Sequence, residues 1–241
     1  MRLERRAIDS ASPTTTRIGA DAVELAFESG WSARVDRRTR AATFYLPRPV
    51  GDDELVHPFL APPAMHFAAW LGRSAFHAGA FLAGGGAWAL FAGRTGGKST
   101  TLAHLAGQAV PVLADDVLVV DEGVALAGPR CIDLRPTAAA RFDGSLDAVR
   151  RGERRRLSLP PVGPTATLRG WFALEWGEHF EIVPLGPSER LVELAGHCRP
   201  EIGIRPSLLD LAGLPAWRLK RPRDPAALDH VCGQLLDAAL R

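Results

Sequence analysis

Apolar positions along this chain change their period several times, and each change marks an element. Between Trp31 and Leu46 apolar and polar residues alternate around a charged centre, Asp36 to Arg40, which predicts a β-hairpin. With Val23 to Phe27 before it, the start of the chain predicts a small antiparallel lobe. Pro47 to Pro63 is rich in proline and acidic residues and reads as a connection. The expected division is therefore a lobe with its connection over residues 1–63 and a core over 64–241. Ala64 to Leu71 suits a short helix. From Phe76 to Gly93 the sole ionisable side chain is His77, and the length would allow a membrane span. Gly79, Gly84, Gly85, Gly86 and Gly93 interrupt it, so the expectation is a strand–turn–strand over Ala75 to Phe91.

A helix is expected from Ser99 to Ala106, ended by Gly107. Val110 to Ala114 reads as a buried strand that stops at Asp115 and Asp116. Val117 to Val120 and Val124 to Ala127 flank Asp121-Glu122-Gly123, a hairpin signal. Thr137 to Val149 is expected to be helical, and the basic run Arg150 to Arg156 to be a solvated loop or helix end. Strands are expected at Leu168 to Trp176, Glu181 to Pro184 and Trp217 to Leu219, and helices at Ser188 to Ala195, Pro206 to Leu211 and Pro225 to Leu240. Strands and helices mixed in this way predict an α/β core.

Composition narrows the partners. With 46% apolar and 23% charged residues the usage is that of an ordinary globular protein, and a net charge of +2 does not call for nucleic acid or a membrane surface. The start, Met1 to Ser12, is charged and then polar, unlike a secretory signal. Cys131, Cys198 and Cys232 are odd in number and far apart, which argues against a disulfide framework or zinc site and fits a reducing cytoplasm. Of 29 basic residues only Lys98 and Lys220 are lysine. Keeping a compact ammonium at Lys98 against that background implies a point-charge donor there, not a planar fork.

Lys98 closes the most informative segment, Leu90-Phe91-Ala92-Gly93-Arg94-Thr95-Gly96-Gly97-Lys98-Ser99-Thr100. An apolar strand, a glycine loop and a helix start follow one another, the context of a phosphate-binding P-loop. Residues Gly93 to Thr100 would cradle phosphate oxygens with backbone N–H groups at the positive end of the helix. Lys98 would bridge the outer phosphates and Ser99 would ligate Mg²⁺. Strict GxxxxGK[ST] spacing puts Ala92 where the first glycine belongs, so either alanine is tolerated there or the loop is one residue short. A glycine turn capped by Ser99 is the plainer alternative.

Asp115 and Asp116, at a strand end beside that loop, suit a metal partner and a base. On an extended chain neighbouring side chains point to opposite sides, so only one is expected to face the phosphates; a capped polar turn is the competing reading. His77 alone reads as a core histidine as readily as a site residue. Arg130 and Arg135 flank Cys131 to Leu134 and could reach a transferring phosphoryl group, or serve structure alone.

The order His-Ala-Gly-Ala, strand–turn–strand, Gly-Lys-Ser-Thr, helix, Leu-Ala-Asp-Asp from Phe76 to Asp116 resembles the catalytic core of HPr kinase/phosphorylase. It also resembles that enzyme's small relatives associated with lasso-peptide maturation. The stretches Ile132 to Pro136 and Leu219 to Asp224 resemble the small relatives more loosely. The resemblance implies a P-loop core related to that of phosphoenolpyruvate carboxykinase, with ATP and Mg²⁺. Lys98 and Ser99 match the phosphate and metal positions, and Asp115 is expected as the metal partner. Asp116 or Asp115 matches the aspartate that deprotonates the acceptor hydroxyl, and His77 a histidine near the site. Thr100 stands where HPr kinase has an acidic residue, and the larger enzyme's separate N-terminal domain has no room here; both point toward the peptide-tailoring relatives.

The expectation is a cytoplasmic, ATP-dependent kinase acting on a serine hydroxyl of a peptide or protein, such as a lasso-peptide precursor. Its oligomeric state is left open, a homo-oligomer included. Two rivals stand beside it: a nucleotide-binding regulatory or assembly module without catalysis, and a kinase of a small-molecule alcohol.

Overall fold

The computed structural model describes residues 1–142, 146–149, 152–197 and 207–240. The chain divides into two compact units, Met1–Gly72 and Arg73–Arg241.

The first unit is a five-stranded sheet built from β1 (Arg2–Ala7), β2 (Arg17–Ile18), β3 (Ala22–Ala26), β4 (Ser32–Asp36) and β5 (Ala41–Leu46) in the order β1-β5-β4-β3-β2. The expected hairpin is β4–β5, with Ser32 opposite Tyr45 and Asp36 opposite Ala41. β1 joins β5 in parallel, so the sheet is not wholly antiparallel. Two helices follow, α1 (Asp52–Val56) and α2 (Ala61–Trp70). Val23, Val35, Ala42 and Phe44 are wholly buried, and Phe67 and Trp70 of α2 pack against the same cluster. That packing carries the unit through α2 to Gly72, past the break expected after Pro63.

The second unit begins with β6 (Ser74–Phe76), β7 (Ala78–Ala83), β8 (Gly86–Phe91), α3 (Lys98–Gly107), β9 (Val112–Ala114), β10 (Leu118–Asp121) and β11 (Val124–Leu126). It continues through β12 (Cys131–Leu134), α4 (Pro136–Ala139), β13 (Asp147–Val149), β14 (Arg154–Ser158), β15 (Thr165–Trp176) and β16 (Glu181–Pro184). It ends with α5 (Pro187–His197), α6 (Ser207–Gly213), β17 (Ala216–Arg221) and α7 (Leu228–Leu240), the last preceded by a 3₁₀ turn at Pro225–Ala227. Among the described residues the main sheet runs β6-β10-β11-β15-β8-β7-β9, with β17 beside β15 and β16 beyond it.

β15 organises the sheet. Its first residues pair antiparallel with β11, and from Leu168 onward it runs parallel to β8. From Trp171 its other edge runs parallel to β17. Alternate side chains of β8 serve two cores. Trp88 and Leu90 pack with Leu102, Leu105, Val231 and Leu235 from α3 and α7, whereas Ala89 and Phe91 pack with Leu194, Leu208 and Leu211 from α5 and α6. A strand covered on both faces needs apolar residues at every position, which is why Gly86 to Phe91 reads as a continuous apolar run. Hence the apolar segment Phe76 to Gly93 is sheet interior. Among the described residues no helix is long and apolar enough to cross a membrane.

Two expectations fail in the third sheet, ordered β12-β14-β13. Thr137 to Val149 is not one helix: α4 stops at Ala139, and Asp147 to Val149 pair with Arg154 to Arg156. Ala138 and Ala139 do lie in α4, whereas Asp147 to Val149 take strand pairing instead of continuing a helix. The basic run is not a solvated loop either. Arg154 to Arg156 lie in β14, and Arg156 is buried opposite Asp133, to which it donates from Nε at 2.6 Å and from a terminal nitrogen at 2.8 Å. Arg150, Arg151, Cys198 and Pro206 lie outside the described residues.

Candidate functional site

β8 ends at Phe91, and α3 begins at Lys98, leaving Ala92 to Gly97 as the loop between them. Lys98 turns back across it and donates from Nζ to the Ala92 carbonyl at 2.8 Å, so the ring it closes starts at Ala92. Inside that ring the Gly96 N–H donates to the Gly93 carbonyl at 3.0 Å. A Cβ on Gly96 would come within 2.6 Å of the Ala92 methyl, so glycine at 96 is what makes room for alanine at 92. Thr95 and Gly97 are in left-handed conformations, φ 63° and 82°. Gly97 is the N-cap of α3 and brings no side chain to the start of the helix. The first-turn N–H groups, which an α-helix cannot satisfy internally, thus face the loop without a capping side chain.

Lys98 is 6% exposed, and burial pulls its ammonium below the usual lysine range, with Asp115 and Asp116 pulling the other way. Ser99 Oγ donates to Asp115 Oδ1 at 3.1 Å. Arg94 and Thr95 are exposed at the loop tip, while Thr100 lies half-buried in the first turn of α3. The extended chain assumed for the two aspartates is not what the structure shows. β9 ends at Ala114, and Asp116 adopts a left-handed conformation with φ 68°, so the pair does not lie on an extended chain. Asp115 meets Ser99, both aspartates act on Lys98, and Asp116 meets His77. His77, between β6 and β7, has its Nδ1 3.1 Å from the Asp116 carbonyl oxygen and 3.3 Å from its Oδ1.

Arg130 does not reach into this group. Its guanidinium donates to the carbonyls of Val112 and Leu113 at 2.6 and 3.1 Å and to Pro160 at 3.1 Å, which secures the strand that carries the aspartates. Arg135 is exposed at the start of α4. The basic stretch Arg218 to Arg223 is largely engaged: Arg218 pairs with Glu175 and Glu189, and Lys220 with Glu181.

Two residues at the loop escaped sequence reasoning. Trp176, at the end of β15, donates from Nε1 to the Thr95 carbonyl at 3.3 Å. Arg221, at the end of β17, donates to the Gly96 carbonyl at 3.1 Å and lies 4.2 Å from the centre of the Trp176 ring. A Cβ on Gly97 would come within 2.2 Å of that guanidinium and 3.1 Å of the indole. The one available signal was the Leu219 to Asp224 stretch, noted for its likeness and not for any contact.

Oxygen donors at Ser99 and Asp115 suit a hard cation that keeps most of its shell from water and substrate phosphates, as Mg²⁺ does. Among the described residues no cluster of three His, Cys, Asp or Glu side chains forms a metal site by itself. The donor set therefore fits an ion delivered with a polyphosphate.

No protein-family model and no curated protein matches the sequence. Among solved structures the chain is similar to the Hpr(Ser) kinase/phosphatase from Coxiella burnetii, at 13% identity and a TM-score of 0.40, over 69% of this chain and 97% of that one. At that distance the site stands on its own residues.

Proposed function

We propose that the protein is an ATP-dependent kinase whose P-loop runs from Ala92 to Thr100. The observation that carries this is Lys98: a buried ammonium folded over a glycine loop, within the field of two aspartates. An ammonium parked on a backbone carbonyl can exchange that carbonyl for phosphate oxygens at little cost, since both are oxygen acceptors. Gly93 to Thr100 would bind the polyphosphate through backbone N–H groups. Mg²⁺, held by Ser99 and Asp115 together with the phosphates, would neutralise charge on the transferring group.

In the proposed reaction Asp116 accepts the proton of a serine hydroxyl. The serine oxygen then bonds to the γ-phosphorus as the bond to the β-bridging oxygen breaks, and ADP leaves with that electron pair. His77 would hold Asp116 in place through its Nδ1, which lies against the aspartate's carboxylate and carbonyl oxygens. The chemistry is chiefly positioning and electrostatics, and it needs no further nucleophile from the protein.

The acceptor we propose is a serine of a peptide or protein in the cytoplasm, with a lasso-type precursor peptide as the specific case. A small-molecule alcohol and a non-catalytic nucleotide-binding module are the alternatives. Mass spectrometry of co-expressed precursor peptide, with wild-type protein and with Lys98→Ala, tests the reading. One added phosphate mapped to serine, absent with the variant, is expected. Phosphorylation of free metabolites alone, or ATP affinity unchanged in Lys98→Ala, overturns it.

A further inference from the structure

Arg221 is only 4% exposed, yet it carries a full charge. Burial lowers its pKa to about 10, which leaves it protonated at neutral pH. Among the described residues the ionisable group that acts on it is Cys232, and burial pushes that thiol up to about 12, so it stays neutral and compensates nothing. Arg221 Nε is buried with no hydrogen-bond partner among the described residues. What the guanidinium does hold is the Gly96 carbonyl and the face of Trp176. A buried cation lacking an anion is costly. A chain that keeps one beside an anion-binding loop has a specific use for it.

The geometry of the peptide unit indicates that use. The carbonyl of Gly96 and the N–H of Gly97 belong to one planar trans peptide and point in opposite directions. By gripping the carbonyl, Arg221 turns the Gly97 N–H away from itself. Trp176 holds the Thr95 carbonyl one peptide earlier, so two consecutive loop peptides are oriented from β15 and β17. Parallel pairing of those strands, with Trp176 opposite Arg221, sets both side chains at one level.

We infer that Arg221 is a positioning residue of the phosphate loop, and that the polyphosphate of the bound nucleotide is the counter-charge its buried guanidinium lacks among the described residues. This rests on the nucleotide-binding reading above. Arg221 acts through the Gly96–Gly97 peptide and through the field it lends the loop. Its effect should therefore grow with the number of phosphates on the ligand, and the unliganded fold should not depend on it.

Two variants test this: Arg221→Met, which removes charge and donors, and Arg221→Gln, which keeps an N–H donor and removes the charge. Calorimetric titration with a nonhydrolysable ATP analogue and with AMP is paired with melting of the nucleotide-free protein. Both variants should lose about tenfold or more in affinity for the triphosphate, with little change for AMP. Their nucleotide-free melting temperatures should equal or exceed that of the wild type, because an uncompensated buried charge has gone. If Arg221→Met does not fold, Arg221→Gln decides alone by the same titration. Unchanged triphosphate affinity overturns the inference while leaving the kinase reading intact. So does an equal loss for AMP and triphosphate, or misfolding of both variants, since each makes Arg221 a purely structural residue. A wild-type protein that binds no nucleotide overturns the kinase reading itself, and this inference with it.

Discussion

Ser99 Oγ lies 3.1 Å from Asp115 Oδ1, a hydrogen bond that ties the first turn of α3 to the corner after β9. It joins the helix that starts at the glycine loop to the chain that carries both aspartates. On the proposed reading these two hard oxygen donors would join phosphate oxygens around Mg²⁺.

Removal of either donor should therefore uncouple metal from nucleotide. In Ser99→Ala and Asp115→Asn, affinity for the ATP analogue measured without Mg²⁺ should stay close to wild type, while the gain on adding Mg²⁺ should shrink by about tenfold. Titration with and without the metal reads this directly. A full Mg²⁺-dependent gain in both variants would remove the pair from the metal's shell.

Asp116 is the proposed base, and its left-handed backbone makes Asn the right replacement, because Asn tolerates that conformation where Ala is strained. Turnover in Asp116→Asn should fall by about a hundredfold, with nucleotide affinity nearly unchanged. Steady-state kinetics alongside calorimetry separates the two effects. Normal turnover in both Asp116→Asn and Asp115→Asn would place the base elsewhere.

The loop glycines should not be equivalent. Gly97→Ala has to hold φ near 82° and drives a methyl into Arg221 and Trp176. It should cost about 1–3 kcal/mol of stability and abolish nucleotide binding. A Cβ on Gly93 meets nothing within 4 Å, and its φ is unremarkable, so Gly93→Ala should melt within a degree or two of wild type. Equal melting temperatures for the two variants would contradict this picture of the loop.

Cys232, wholly buried on α7, should make stability fall above pH 9. Its thiol ionises near 9.0 when unfolded and near 12 when folded. Below pH 9 both states are protonated and its contribution is complete. Above that the unfolded state alone releases the proton, at up to about 1.4 kcal/mol per pH unit. Arg221 acts in the opposite sense above its folded value of about 10, because the folded state then holds fewer protons than the unfolded one. Lys98, also lowered on folding, opposes the fall between its reduced value and 10.5. The clearest window is therefore pH 9 to 10, comparing urea midpoints of wild type and Cys232→Ala. The variant should show the shallower decline, and parallel declines would refute the assignment.

Local sequence determined the strand, glycine loop and helix around Lys98, because a continuous apolar run, clustered glycines and a following helical stretch act within a few residues of one another. It also determined that carboxylates end the next strand, and that a hairpin turns at Glu122 and Gly123. Only the tertiary structure decided that Asp115 meets Ser99 while Asp116 meets His77, since a left-handed Asp116 cannot be read from residue type alone. The same holds for Arg156, whose place in a charge run said surface but whose strand register sets it against Asp133 in the interior. Arg221 and Trp176 were illegible for a further reason. They reach Gly96 and Thr95 across 125 and 81 residues of chain, through parallel pairing of β15 with β8 and β17. Such pairing is set by how two-sided sheet cores close over each other, and it leaves no periodic trace near the residues it brings together.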